Sequence, residues 1–289
     1  MNDGSNDGAA GDSEKHDPEL TREMRKLYLE ALDNLHGNTV RQDRARAFQL
    51  FNEGAALGDH CAMFAIGAMW WEGCGVRKDY GQAVKWFSFA ACLGHTQAQS
   101  FLGFAYVRGL GVAVDIDAGV YWLQAAADEG DAFAQCSMGS LHLAGTGVVK
   151  SEALASRYFR KAADQHHARA ETHYGLCLAY GADGPPNRVE ALKYFRRAAG
   201  KGDPFGTYCL AREYYLGEVV DRSVVTAVQL FLRAAAKGYA WSQAALLRLH
   251  ERGEAILAPD IVSAWRAQPE VQSLAAAIDW LPDRQGEKR

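Results

Sequence analysis

Large and small apolar residues alternate along this chain in a pattern that repeats every 36 residues, from about residue 40 to residue 255. A pair of small residues occurs once per period, a short distance after large rings. A fixed period of this length is typical of stacked repeat arrays, in which each unit packs only against its neighbours. The small pairs are Gly54-Ala55, Ala90-Ala91, Ala126-Ala127, Ala162-Ala163, Ala198-Ala199 and Ala234-Ala235.

The segment 98–130 shows how one repeat is built. Ala98, Leu102 and Tyr106 are spaced i, i+4, i+8, which predicts one face of a first helix. Gly109 and Gly111 then end that helix, since glycine readily adopts the left-handed conformation of a helix end. A second helix is predicted to begin at each residue of a column whose side chains can accept a backbone N–H hydrogen bond. This column is Asp43, Asp79, Asp115, Ser151, Asn187 and Ser223.

Two further glycine series keep the same period. One lies inside the first helices, where the absence of a side chain lets a neighbouring helix approach closely. The other follows the second helices and predicts a turn into the next repeat, with His166 at the one slot that lacks glycine. The internal series is Gly67, Gly103, Gly139 and Gly175, and the turn series is Gly58, Gly94, Gly130, Gly202 and Gly238.

These patterns predict an all-α fold: a right-handed α/α superhelix (solenoid) of about seven helix-pair repeats with a 36-residue period. The first pair (19–58) and the last pair (241–268) are degenerate, as expected for end repeats that face water. A final amphipathic helix at 270–280 is predicted to cover the end with Val271, Leu274, Ile278 and Leu281. The predicted domains are a disordered tail at 1–18, the solenoid at 19–282 and a disordered tail at 283–289.

The repeat resembles the Sel1-like repeat, a relative of the tetratricopeptide repeat, over residues 40–255. This resemblance implies an adaptor or scaffold that assembles protein complexes. The match weakens late in the chain, where 183–186 replaces the usual glycine turn and Ala211 replaces the internal glycine, so altered curvature is expected there. The matching residues of one unit are Ala98, Leu102, Gly103, Tyr106, Gly109, Gly111, Val112, Asp115, Trp122, Ala126, Ala127 and Gly130.

Charge and composition narrow the choice of partners. The net charge is -4 and the pI is about 6.1, with no basic stripe, so nucleic acid is not expected as a partner. No apolar run is long enough to span a membrane, and the first 18 residues lack the features of a secretory signal. The six cysteines follow no paired spacing, which favours free thiols in a reducing, cytoplasmic location.

The first helices are expected to line the concave surface of such a solenoid. Positions there that stacking does not require nevertheless hold rings and arginines, the usual anchors of protein interfaces. We therefore predict a groove for a peptide, although the same rings could instead pack against neighbouring helices. The predicted partner-binding residues are Phe64, Trp71, Phe104, Arg108, Leu143, Leu176, Tyr208, Arg212, Tyr215 and Arg248.

No catalytic, cofactor or metal site is predicted. His173 and Cys177 have a spacing that can hold a metal, but surface histidines are the favoured interpretation of His166, His167 and His173. The recurring Gly-x-Gly is interpreted as a structural turn, because neither a strand nor a Lys-Ser/Thr pair accompanies it.

The predicted function is a non-catalytic adaptor that binds other proteins or peptide segments through its concave face, and a homodimer is compatible with its open ends. The alternative is an activator or regulatory subunit of a separate enzyme, or a weak hydrolase.

Overall fold

The computed structural model describes residues 18–278, and the predicted tails and Leu281 lie wholly or almost wholly outside that range. Over these residues the chain forms fifteen helices and no strand, a repeat solenoid as predicted. The chain divides into two compact units, residues 1–115 and residues 116–289. The helices are α1 (Pro18–His36), α2 (Arg44–Ala56), α3 (His60–Glu72), α4 (Tyr80–Cys92), α5 (Thr96–Arg108), α6 (Ile116–Asp128), α7 (Ala132–Ala144), α8 (Glu152–Asp164), α9 (Ala168–Tyr180), α10 (Arg188–Gly200), α11 (Pro204–Leu216), α12 (Val224–Ala235), α13 (Ala240–Glu251), α14 (Pro259–Arg266) and α15 (Pro269–Ala277).

Unit 1 stacks α1 to α5, each helix packing against the next. Its core contains the fully buried rings Phe51 and Phe87, which come from the second helices of their repeats. In unit 2, α6 to α13 stack in the same way, with Phe159, Phe195 and Phe231 in the equivalent positions. The large rings that precede the small pairs in the sequence therefore form part of the core of both units.

The predicted N-caps of the second helices are confirmed wherever a capping bond is resolved. Asp43, Asp79, Ser151, Asn187 and Ser223 each accept a hydrogen bond from a backbone N–H in the first turn. The first helices have a capping column of their own, which was not predicted. Its members accept equivalent bonds and are Asp59, His95, Asp131, His167 and Asp203.

The glycine turns are also confirmed. Gly109 and Gly111 have φ of +64° and +72°, the left-handed conformation predicted for this turn. His166 occupies the vacant slot of the second series and has φ of 64°; no other non-glycine residue between 18 and 278 has a positive φ. The period therefore fixes the backbone conformation even where it does not fix the residue type.

The internal glycines lie at helix crossings. A Cβ added at Gly67 would come within 2.6 Å of the Phe87 ring, and one at Gly139 within 2.7 Å of Phe159. Gly175 is related to Phe195 in the same way, also at 2.6 Å. In each case a second helix places its ring against the bare backbone of the first.

The C-terminal end differs in one respect from the predicted helix pair at 241–268. Pro259 and Pro269 begin two short helices, and it is mainly α15, rather than α14, that packs against α13. Val271 is fully buried and Ile278 nearly so. The predicted closing helix thus covers the end of unit 2 in the place where another repeat would stack.

Neighbouring repeats of unit 2 are joined by a series of side-chain hydrogen bonds that we call the carbonyl ladder. Gln165 donates to the Gly130 carbonyl at 2.7 Å, Lys201 to the His166 carbonyl at 2.8 Å, and Lys237 to the Gly202 carbonyl at 2.6 Å. Each donor lies 35 residues after its acceptor. The ladder therefore satisfies carbonyls exposed at the turns after the second helices.

Candidate functional site

The predicted partner-binding residues fall in both units, and the three predicted rings of unit 1 belong to a cluster that we call the aromatic surface. Its members are half-buried, and the distances between their ring centroids are those of packed aromatic pairs. Trp71 lies at the centre, with ring centroids 4.7 Å from Tyr80, 5.6 Å from Phe101 and 6.4 Å from Phe104. The aromatic surface consists of Phe64, Trp71, Tyr80, Phe101 and Phe104.

Phe87 lies beneath the aromatic surface and is fully buried. Its ring contacts Phe64 at 5.7 Å, Trp71 at 5.8 Å and Phe101 at 5.3 Å. Because Gly67 leaves room for Phe87, the ring can reach under α3 and support all three. Tyr80 and Phe101 were not predicted, since they lie outside the positions that were assigned to the concave face.

Positive charge is present beside these rings. Arg108 is exposed in the last turn of α5, four residues after Phe104 on the same helix. The Lys78 ammonium stands over the Tyr80 ring at 4.7 Å from its centroid. A hydrogen bond with the Tyr80 side chain raises the pKa of Lys78. The aromatic surface therefore combines ring faces with cations from two different elements.

The predicted residues of unit 2 occupy more varied environments. Leu143 is 39% exposed and Leu176 is half-buried, whereas Tyr208 and Tyr215 are buried. The Tyr208 ring packs against residues of the next repeat, and the Tyr215 hydroxyl donates a hydrogen bond to Glu254 at 3.0 Å. Both tyrosines thus serve packing, the alternative that the sequence left open for the rings.

Arg212 and Arg248, the predicted partner-binding arginines of unit 2, have acidic or phenolic neighbours. Arg212 donates to the Tyr180 hydroxyl at 3.1 Å and lies 3.8 Å from Glu213. Arg248 lies 3.9 Å from Glu251. Their positive charge is therefore partly offset within the unit, in contrast to the exposed Arg108 of unit 1.

Two buried carboxylates in unit 2 hold clusters of cations. Glu171 is fully buried, and one of its oxygens lies 2.7 Å from Arg197 and 2.6 Å from Lys201. Glu213 is 1% exposed and accepts two hydrogen bonds from Arg188, each 3.0 Å long. The Glu171 ion pairs join the two helices of one repeat, α9 and α10, and the Glu213 pair joins α11 to the repeat before it, so both carboxylates have a structural role.

The histidines of unit 2 only partly match their interpretation as surface residues. His166 is exposed, but His173 stacks on Phe159 at 4.7 Å with an interplanar angle of 12°, and burial lowers its pKa to about 4. His173 is therefore only partly exposed, with its ring in contact with Phe159 of α8 and Phe205 of α11. Burial also raises the pKa of Cys177 to about 11, so this thiol stays protonated and packs as a small apolar group.

All six cysteines are free thiols, as the spacing predicted. Cys136 and Cys177 are buried inside helices, and burial raises the pKa of Cys136 to about 12. Within residues 18–278, no helix combines the length and the apolar character needed to cross a bilayer.

Comparisons with known proteins agree with this architecture. One solved structure is c5321, a protective antigen of uropathogenic Escherichia coli with an SLR fold; it is 29% identical, has a TM-score of 0.64, and is matched over 90% of this chain and 56% of its own. This chain thus spans little more than half of that antigen. A Sel1 repeat protein from Oxalobacter formigenes is 27% identical, with a TM-score of 0.67 and coverage of 87% and 98%. Comparison with curated proteins gave no significant match.

The model of the Sel1 repeat family matches six consecutive segments, which together make up more than half of the chain. The matched segments are 34–59, 62–95, 96–131, 132–167, 168–203 and 206–239. Three of the six segments are 36 residues long, which is the period found in the sequence. The chain therefore belongs to the Sel1 repeat family.

Proposed function

We propose that this protein is a non-catalytic adaptor that binds a segment of another protein on the aromatic surface of unit 1. Proteins of the Sel1 repeat family generally mediate protein–protein interactions, which supports the general part of the proposal. The observation that carries the specific part is the cluster of half-buried rings around Trp71. Rings with one accessible face supply large contact areas at a small cost in side-chain entropy.

The chemistry of the surface indicates the kind of segment that it fits. Ring faces favour apolar side chains, while Arg108 and Lys78 favour a carboxylate nearby. We expect an extended or helical segment that carries apolar anchors and at least one acidic residue. The free thiols are consistent with a reducing, cytoplasmic setting for this interaction.

Unit 2 contributes less to this proposal. Leu143 and Leu176 remain accessible, but Tyr208 and Tyr215 are buried and the nearby arginines are engaged. We therefore place the principal binding energy in unit 1, and we assign Tyr208 and Tyr215 to packing.

The test is affinity capture of the tagged protein from its own cells, with the captured proteins identified by mass spectrometry. Trp71→Ala and Phe104→Ala, singly and together, remove rings from the aromatic surface. Phe89→Ala is the matched control, because Phe89 is 58% exposed on α4 and its ring packs against Trp86 instead. Circular dichroism and thermal unfolding establish that each variant is folded.

The proposal predicts a protein that is recovered with the wild type and with Phe89→Ala but lost with folded Trp71→Ala and Phe104→Ala variants. Equal recovery with all variants would contradict the aromatic surface as the binding site. If size measurements instead show that the captured protein is a second copy of this chain, the surface mediates self-association and the adaptor proposal fails. Capture of an enzyme whose activity changes on binding would instead identify this protein as an activator or regulatory subunit of that enzyme.

A further inference from the structure

Three potential metal ligands meet in unit 1 where two first helices begin. His60 and Cys61 are the first residues of α3, and His95 is the N-cap of α5. One ligand atom from each lies within 4.8 Å of the others. The two imidazole rings are 5.4 Å apart and nearly perpendicular, at 71°, so they do not stack and can direct nitrogens at a common point.

The spacing of the first two ligands suits a tetrahedral ion. Zinc binds thiolate sulfur at about 2.3 Å and imidazole nitrogen at about 2.0–2.1 Å, so a sulfur and a nitrogen on one tetrahedral ion lie about 3.5 Å apart. The Cys61 sulfur lies 3.6 Å from His60 Nδ1. His95 completes the set, with a ligand nitrogen within 4.8 Å of the other two ligand atoms.

The surroundings hold these ligands in place. Phe64 stacks on the His95 ring at 4.6 Å with an interplanar angle of 19°, which restrains the plane of the imidazole. Asp59 accepts a hydrogen bond from the Cys61 backbone N–H at 2.8 Å, and its negative charge acts on both Cys61 and His95. A carboxylate so close favours a bound cation.

We propose that His60, Cys61 and His95 bind one divalent transition-metal ion of the zinc type, with water in the fourth position. Two nitrogens and one sulfur are the donors that Zn²⁺ and Co²⁺ accept and that Mg²⁺ and Ca²⁺ do not. On binding, the Cys61 thiol releases its proton to solvent and forms the sulfur–metal bond, with no change in oxidation state. This proposal is independent of the proposed function, although Phe64 belongs to both places.

Metal binding should compete with the start of α5. His95 Nδ1 accepts a hydrogen bond from the Ala98 backbone N–H at 3.2 Å, so a neutral ring carries its proton on Nε2. If Nε2 binds the ion, the proton must move to Nδ1 and the capping bond is lost; if Nδ1 binds, the ion displaces the same bond. We therefore expect the occupied site to loosen the first turn of α5.

The repeat supplies a matched control in unit 2. His167 caps α9 as His95 caps α5, accepting from the Ala170 N–H at 3.3 Å. His60 and Cys61 lie 35 and 34 residues before His95. The equivalent positions before His167 are Ala132 and Phe133, which offer no ligand. His167→Asn therefore alters the same type of cap without touching the proposed site.

The experiment titrates reduced, metal-free protein with Zn²⁺ in competition with a chromophoric chelator, and separately with Co²⁺ followed by absorption. The variants are Cys61→Ser, His60→Ala and His95→Asn, beside His167→Asn. Asparagine is a good N-cap without an imidazole ligand, so His95→Asn separates metal binding from capping. Circular dichroism confirms that each variant is folded.

We expect one ion per chain, thiolate-to-cobalt absorption in the wild type, and an affinity loss of about tenfold or more in each of the three ligand variants. His167→Asn should bind like the wild type. Equal Zn²⁺ affinity in the wild type and the folded Cys61→Ser and His95→Asn variants would overturn the proposal. So would Co²⁺ binding without a thiolate band.

Discussion

The Phe159 ring lies directly against the backbone of Gly139, so close that a Cβ on that glycine would be 2.7 Å from a ring carbon. This relationship accounts for the regular occurrence of glycine in the first helices. Ring and glycine come from the two helices of one repeat, α7 and α8, and the same relationship recurs at Gly67 and Gly175. The 36-residue period in the sequence thus reflects repeated close contact between a ring and the backbone.

Replacing Gly139 with leucine should therefore destabilise the protein by about 1–3 kcal/mol. The new side chain must displace Phe159, and the better helix propensity of leucine offsets only about 0.8 kcal/mol. Urea unfolding measures the loss. Ser140→Leu is the control, because Ser140 is the next residue in α7 and is exposed. Equal stability of the two variants would mean that the crossing can accommodate the leucine.

The left-handed conformation of His166 predicts an unusual order of stability among its variants. His166 has φ of 64°, which is easy for glycine and costs other residues about 1–2 kcal/mol, most of all β-branched ones. We expect His166→Gly to be about as stable as the wild type and His166→Val to lose at least about 1 kcal/mol. The glycine variant keeps the carbonyl that Lys201 binds in the ladder. A valine variant as stable as the glycine variant would contradict the strained backbone.

The partly buried ring of His173, stacked on Phe159, predicts that acid destabilises unit 2. Its pKa is about 4 in the folded protein, chiefly because of burial, and about 6.5 in the unfolded chain. The unfolded state therefore binds more protons below pH 6.5, so stability should fall as the pH drops from about 6.5 to about 4, by about 3 kcal/mol in all.

His173→Phe is the test of this prediction, since phenylalanine keeps a ring against Phe159 but cannot be protonated. Urea unfolding near pH 7 and near pH 4.5 should show about 2 kcal/mol less acid destabilisation in the variant. Burial also lowers the pKa of His167 and of His95, but both residues are present in both proteins. An unchanged pH dependence would show that His173 is accessible to protons when folded.

The buried carboxylate of Glu171 should contribute more to stability than any exposed acid. Glu171→Gln removes the charge that neutralises Arg197 and Lys201, and we expect a loss of about 1–3 kcal/mol, limited because both cations reach solvent. Glu190→Gln is the control, because Glu190 pairs with Lys193 on the surface and should change stability by less than about 0.5 kcal/mol. Similar losses in the two variants would contradict the structural role of Glu171.

Regular features of the fold could be predicted from the sequence, while the features that join one repeat to another could not. The caps of the second helices follow from residue type, because Asp, Ser and Asn are common N-caps. The first-helix caps were missed because His95 and His167 alternate with aspartates, and histidine is not a usual cap. Tyr239, one period after Asp203, makes no side-chain capping bond, so residue type gives little signal in this column.

The residues of the candidate site could also be predicted only in part. Trp71 and Phe104 were predicted and belong to the aromatic surface, but Tyr208 was predicted beside them and is buried. Tyr239 and Trp241, from the next repeat, pack against Tyr208 and cover it. Periodicity assigns a residue to a helix face, whereas exposure depends on the volume of side chains one repeat further along.

The carbonyl ladder has a consequence for how proteins of this kind change length. Lys201 donates to the carbonyl of His166, and these two residues are the ends of a block of one period. If residues 166–201 were duplicated in tandem, each copy would bring both donor and acceptor, and Lys237 would still find the carbonyl of Gly202 in register. Recombination between repeats can therefore lengthen or shorten the array by whole periods while leaving each junction chemically complete.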